Sequence, residues 1–493
     1  MDLLRCLRLL YAASAVALVL GCEPSPPAAA TPVPYAAPTV AATATGAPVA
    51  SDPPPGSAPS VAPQPAVARH VVLVSIDGMR PDYYTHASSY GLAIPNLRAL
   101  MQRGRYAEAV IGTWPTVTYP AHTTLVTGAR PNRHGILANR PFDPTYKNQG
   151  GWNWYAESIK ADTLWGALHR AGKTTGAVYW PVTVGAAIDD NFPQIWRAKV
   201  DEDDKLLRAL ISPGLAEAYA KAYGALPAEH RTDHERGNAA ELLVRDRRHD
   251  LTLVYFTDLD EAQHEFGPGS KQAKDTLERI DGELGRVVRA IDAAGDSART
   301  AVVVVSDHGF SPVKSVVRPA VLLREAGLID VTPGGAVKSW RAGVVAAGGM
   351  AAIYLKDPDD AALREQVGKA LGADDERRMS PGIRAVLPRE ASEREGGFAG
   401  AAFTLVAAPG FEFDGGLTGP VVGPSGDKGA HGYPPEDADM HASLIVAGSG
   451  IRPGPPLGRV SMLRIAPTVA ALLGVTLADA ETPPLAEVLS DSR

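Results

Sequence analysis

A chain of 493 residues, 45% hydrophobic and 21% charged, has the bulk to bury a large core and lies outside the composition of disordered proteins. Its formal net charge of -7 and isoelectric point near 6.0 provide no basic field for a phosphate backbone, so a nucleic-acid polymer is not an expected partner. Only two cysteines are present, Cys6 and Cys22, which excludes a disulfide framework.

The first residues, "MDLLRCLRLLYAASAVALVLGC", place Arg5 and Arg8 ahead of an apolar run from Leu9 to Leu20. This is the pattern of a signal peptide over residues 1–21, and the run is shorter than the about 20 residues of a comfortable membrane span. "LVLGC" resembles a bacterial lipobox, which implies lipidation at Cys22 and export to the periplasmic face of the outer membrane or the cell surface. A secreted or periplasmic soluble form is the alternative. Residues 22–68 are almost entirely Pro, Ala, Thr, Val, Ser and Gly, too poor in large apolar groups to fold, and read as a disordered tether. Membrane contact is therefore expected only through the N-terminus, and the oligomeric state is left open.

From residue 69 to 493 the chain reads as one α/β domain. "HVVLVSIDGMR" (70–80) is a continuous apolar run ending in Asp-Gly, as in a strand buried on both faces of a parallel sheet. "DLTLVYFTDLDEAQHEFGP" (250–268) and "RTAVVVVSDHGF" (299–310) repeat the pattern, and "HASLIVAGSGI" (441–451) is a further strand. Apolar spacing near 3.6 predicts helices at 96–104, 275–295 and 461–474. The alternation implies a mostly parallel sheet sandwiched between helices. Glycine-rich stretches between about 320 and 425 break that rhythm and predict an inserted smaller substructure.

Each of three predicted strands ends in carboxylates: Asp77, the pair Asp258 and Asp260, and Asp307. An aspartate there often only caps the next helix. Two of these ends, however, also carry histidines, His264 and His308, and "DKGAHGYPP" adds His431 in a glycine-flanked loop. Such nitrogen and oxygen donors suit zinc, and their number suffices for two neighbouring sites able to grip both oxygens of a phosphoryl transfer. A candidate nucleophile lies in "TWPTVTYPAHTTLVTG" (113–128), where His122 follows Thr118 by four residues and invites a hydroxyl-and-base reading.

The motifs "SIDGMR", "PTVTYPAHTTLVTGARPNRHGILAN", "DLDEAQHEFGP", "VSDHGF" and "AHGY", in that order from about Val71 to Gly474, resemble the nucleotide pyrophosphatase/phosphodiesterase branch of the alkaline phosphatase superfamily. The resemblance implies an alkaline-phosphatase-like fold and two zinc ions, one held by Asp77, Asp307, His308 and Thr118, the other by Asp260, His264 and His431. It makes Thr118 the nucleophile, with a phosphothreonine-type intermediate, and Asn139 the partner of a non-bridging phosphate oxygen. Tyr119 matches a residue that flanks a nucleobase, with Tyr179 or Trp180 as the opposite wall or as core. The start of a helix at Thr118 would add first-turn amides for an anion.

Other residues are set aside: His122 as packed within its helix, His134 as fixing a loop, His441 as starting a strand, and Asp258 as supporting rather than ligating. The uncharged "GAVYWPVTVGAAI" (176–188) stands where monoesterases of the superfamily carry a Lys-x-Arg pair. The expected substrate is therefore a nucleotide or another small phosphodiester. A threonine-nucleophile alkaline phosphomonoesterase is the runner-up, a choline or headgroup diesterase the third reading, and an inactive surface binding protein the alternative of another class.

Overall fold

The computed structural model describes residues 67–148, 150–195, 202–226 and 232–490. The signal peptide, Cys22 and nearly all of the tether lie outside the described residues. Val67 and Ala68, expected in the tether, already belong to the folded body, because both their amides donate to Leu472 O at 3.1 and 3.0 Å.

Eight strands form the central sheet: β1 (His70–Ile76), β2 (Gly104–Ile111), β3 (Thr175–Val178), β4 (Asp190–Phe192), β5 (Leu251–Phe256), β6 (Thr300–Val305), β7 (Leu444–Gly448) and β8 (Leu457–Ser461). Their spatial order is β8-β2-β7-β6-β1-β5-β3-β4. All pairings are parallel except those of β7, which runs antiparallel to both β6 and β2. Strand alternation divides the apolar residues between two cores. Val71, Leu73, Leu251, Leu253, Ala301 and Val303 face one helical layer, while Val72, Val74, Ile76, Val254, Val302 and Val304 face the other. The uninterrupted apolar runs of the sequence follow from this covering on both faces.

The region expected to be an insert forms a four-stranded antiparallel sheet of Ala342–Ala347, Met350–Leu355, Phe403–Ala407 and Ile383–Pro388, with the helix Ala361–Leu371 and a core of its own. A second small sheet ties it to the main body. The strand Ser311–Val317, just past "SDHGF", pairs with Gly410–Phe413, Val422–Pro424 and Gly429–Ala430. The register Ala430↔Ser311 brings the loop carrying His431 beside the end of β6, although 118 residues of sequence lie between the two paired residues.

Candidate active site

The adjacent strands β6, β1 and β5 end on the same edge of the sheet, so Asp307, Asp77 and Asp260 converge there, where open α/β sheets place ligands. Asp307 and His308 follow β6 directly, and Asp77 follows β1. Asp260 and His264 lie one helical turn apart on the helix Asp258–Phe266, which begins two residues after β5.

Two groups of potential ligands result: Asp77, Asp307 and His308, and Asp260, His308 and His431. His308 Nε2 lies 3.3 Å from Asp77 Oδ1 and 3.2 Å from Asp307 Oδ2. Asp260 stands 3.7 Å from His431 Nε2 and 3.6 Å from His264 Nε2. The structure thus unites six of the residues expected to ligate and places His308 close to both groups, its ring stacked on His431 at 3.7 Å. His264 reaches the second group through Asp260 rather than as part of its tight triplet.

The donors fit divalent cations. Among the described residues, Asp77 Oδ1, Asp260 Oδ1, Asp307 Oδ2 and His308 Nε2 are buried without a hydrogen-bond partner. Such orphans are costly unless something of opposite charge meets them. Each of His264, His308 and His431 turns Nδ1 toward a backbone carbonyl, of Gly429, Gly309 and Thr116 respectively, so Nε2 of each is left as the ligating atom. Burial, with repulsion from Asp260 and Asp307, raises the Asp77 carboxyl far above its ordinary range. Burial pushes Asp260 up to about 6, and it lowers His308 to about 3, leaving that imidazole neutral. For His264, burial opposes the charge, but Asp260 and Asp427 outweigh it and raise the group to about 9.

Thr118 opens the helix Thr118–Thr127 at this edge. The hydroxyls of the other five threonines in the stretch each donate to a carbonyl: Thr113 to Pro115, Thr116 to Tyr433, Thr123 to Tyr119, Thr124 to Ala129 and Thr127 to Thr123. Thr118 Oγ1 makes no such bond among the described residues. The Thr118 carbonyl accepts from His122 Nδ1 at 2.8 Å, and that nitrogen is 3.5 Å from Asp307 Oδ2, which brings the first turn of this helix beside the first ligand group. His122 packs within its helix as expected, but it also meets Asp307, a contact that sequence spacing does not reveal. Asn139 Oδ1 accepts the Tyr119 amide at 2.9 Å, so its NH2 group is the end free for a ligand.

Several expectations change. The first turn offers little amide to an anion: Tyr119 N is taken by Asn139, Pro120 has none, and Ala121 N donates to Val117 O, which leaves Thr118 N alone. Tyr119 is 2% exposed and packed among Ile136, Trp154, Val182 and Val184, so it does not present an open wall. Trp180 is fully buried against His122 and Tyr179 lies under Arg236, so both are core. Instead, a cavity of about 220 Å³ beside His264 and His431 is lined by Asn139, Arg140, Trp152, Glu412 and Phe413. The Arg140 guanidinium sits 5.1 Å over the Trp152 ring. The aromatic density of "GGWNWY" was the available signal for Trp152; nothing in the local sequence marks Glu412.

His134 fixes its loop as expected: Nδ1 accepts from Ile136 N and Nε2 pairs with the Thr124 hydroxyl, while burial lowers its pKa to about 3. Asp258 and Asp233 cap each other's helices through reciprocal backbone bonds, and burial beside Asp258 pushes Asp233 up to about 8. Neither belongs to a ligand group. His441 is near Arg459 and ligates nothing among the described residues.

A sequence profile of type I phosphodiesterases/nucleotide pyrophosphatases matches residues 71–434. The chain belongs to that family. It is 29% identical over 249 residues to human ectonucleotide pyrophosphatase/phosphodiesterase family member 5, covering 49% of this chain and 45% of the relative. To human family member 1 it is 26% identical over 253 residues, which is 48% of this chain and 23% of that one. The match therefore spans less than half the length of these curated relatives. Among solved structures of the family, murine member 5 superposes with a TM-score of 0.61 at 22% identity, covering 85% of this chain and all of the other, which supports the shared alkaline-phosphatase-like fold. A further murine structure, with a TM-score of 0.60 at 21% identity and covering 83% and 96% of the two chains, is an inactive threonine-to-alanine form in complex with AMP.

Proposed function

We propose that this family member is a divalent-cation-dependent phosphodiesterase/nucleotide pyrophosphatase that cleaves small phosphodiesters through Thr118. The observation that carries this reading is the Thr118 hydroxyl, which escapes the carbonyl bonds that hold its five neighbours and opens a helix whose His122 meets Asp307, one of the orphaned ligand carboxylates. The AMP complex of an inactive threonine-to-alanine relative supports both a threonine nucleophile and a nucleotide substrate.

Two zinc ions, held by Asp77, Asp307, His308 and Thr118 and by Asp260, His264 and His431, would supply Lewis acidity that lowers the pKa of the hydroxyl and offsets charge on the leaving oxygen. The Thr118 oxygen forms the new bond to phosphorus as the bond to the leaving oxygen breaks, giving a phosphothreonine ester that water then cleaves. The Asn139 NH2 group donates to a non-bridging oxygen, its orientation set by the bond from Tyr119 N. The leaving group lies in the cavity walled by Trp152, Arg140 and Glu412.

One observation favours the monoesterase reading: Arg140 sets a cation beside Asn139, where additional phosphate charge would fall. Purified protein, stripped with chelator and reloaded with zinc, should turn over bis-p-nitrophenyl phosphate at least tenfold faster than p-nitrophenyl phosphate at equal concentration. A reversed preference would move the assignment to the monoesterase, and no cation-dependent turnover of either would favour a binding role.

The sequence pattern of residues 1–66 supports export and lipid attachment at Cys22. Radiolabelled palmitate should enter the wild-type protein expressed in a bacterial host and not Cys22→Ser; equal labelling would remove the lipoprotein assignment.

A further inference from the structure

A buried amide joins the two ligand groups. Gln263, one residue before His264 and three after Asp260, is wholly buried. Its Nε2 donates to Gly78 O at 3.0 Å, and its Oε1 accepts the Tyr83 hydroxyl at 2.7 Å. Gly78 follows Asp77, and its own amide donates to Asp307 Oδ1 at 3.2 Å. Tyr83 Oη in turn accepts from Gly269 N, just beyond the end of the helix that bears Asp260 and His264. A continuous chain of hydrogen bonds therefore runs from a carboxylate of the first group, through the Gly78 peptide and Gln263, to the helix of the second.

Packing makes this chain stiff. Gly78 has φ +65°, and a Cβ there would stand 2.8 Å from Gln263 Nε2 and 2.9 Å from the Phe310 ring, so neither peptide nor amide has room to move aside. Phe310 lies edge-on to His264 at 4.8 Å, closing the wedge between the groups. Whatever fixes Asp307 also fixes the Gly78 carbonyl, and through it the position of the Asp260 helix.

We propose that the Gln263 side chain is a positioning residue that couples loading of the two cation groups, so that a cation at Asp77, Asp307 and His308 raises the affinity of Asp260, His264 and His431 for the second. The inference rests on the two-cation reading above. The coupling is a difference in affinity, expected within the roughly 5- to 150-fold range usual between linked sites. His308 offers a second link, its ring stacked on His431 of the other group, but it is untouched by substitution at 263.

The test is a calorimetric titration of the chelator-stripped full chain with Zn2+ alone. Gln263→Met keeps the length and volume of the side chain without its hydrogen bonds; it should bind the first cation as the wild type does and the second about tenfold more weakly. Tyr83→Phe retains the bond to Gly78 and should keep most of the coupling. If Gln263→Met does not fold, Gln263→Asn, which retracts the amide by one methylene, should show the same split. Superimposed isotherms, or two affinities falling in parallel, would overturn the coupling while leaving the two-cation reading intact. A wild type that binds fewer than two cations would overturn both.

Discussion

Thr118→Ala should lower turnover of a phosphodiester by at least about 10⁴-fold, roughly 5 kcal/mol of barrier, while cation binding at Asp260, His264 and His431 and the melting temperature stay near those of the wild type. The chemistry has no substitute hydroxyl. Thr116, the nearest alternative by sequence, is fully buried and donates to Tyr433 O at 2.6 Å; freeing it would leave that carbonyl unpaired at a cost of about 1–3 kcal/mol before any reaction began. Thr123 and Thr127 are tied to carbonyls of their own helix, one turn back. The substitution should not disturb the fold, because Thr118 opens the helix and alanine is the better helix former. Thr118→Ser restores a hydroxyl at the same place and should recover measurable turnover. Retention of more than about 1% of wild-type activity by the alanine variant would show that Thr118 is not the nucleophile.

How far the sequence exposes this site depends on which interactions are local. β1, β5 and β6 are legible because burial on both faces removes polar alternation, and their terminal aspartates stand out against it. β2 and β8 are not, since they mix polar and apolar residues and are held by neighbours far along the chain: β8 pairs with β2 across some 350 residues. His431 is recognisable only as a motif; that it meets His308 follows from a two-residue pairing with the strand after "SDHGF". Tyr255 is hidden for another reason. Within its apolar strand it passes for core, yet parity turns it to the face of the Thr118 helix, where its hydroxyl donates to Asp77 Oδ2. Tyr119 fails in the opposite direction: a position that resembles a substrate wall is covered here by Trp154, Val182 and Val184, and Trp152 takes the cavity instead. The sequence marks residues that ligate or react better than residues that shape the space around them, because ligand chemistry restricts residue type and cavity walls do not.

His308→Ala should abolish binding of the first cation and weaken that of the second, whereas His264→Ala should spare the first. His308 is the one nitrogen donor of the group with Asp77 and Asp307, and its ring is wholly buried with Nδ1 turned to Gly309 O, so no other donor can rotate into the place of Nε2. The affinity loss should exceed the about 10–100-fold typical of removing a residue that merely supports a ligand, and stoichiometry should fall from two to one. Protons should report loading of the second group. With no cation bound, Asp260 titrates near 6 and its partner His264 near 9, both above their ordinary values, and a cation displaces protons from the pair. The apparent affinity of the wild type for its second cation should therefore rise with pH through 6 and continue to rise toward 9, with proton release diminishing as each step is passed. The folded cation-free protein holds these protons more tightly than the unfolded chain, so the stability contributed by the raised groups is present at low pH and lost as pH climbs through their folded values. Cation binding replaces the lost protons with a bound charge, and His308→Ala can make that exchange only at the second group. Its melting temperature should rise less on adding zinc at pH 8 than that of the wild type. A variant that still takes up two cations, or that gains thermal stability from them as the wild type does, would show that His308 is not a ligand of the first cation.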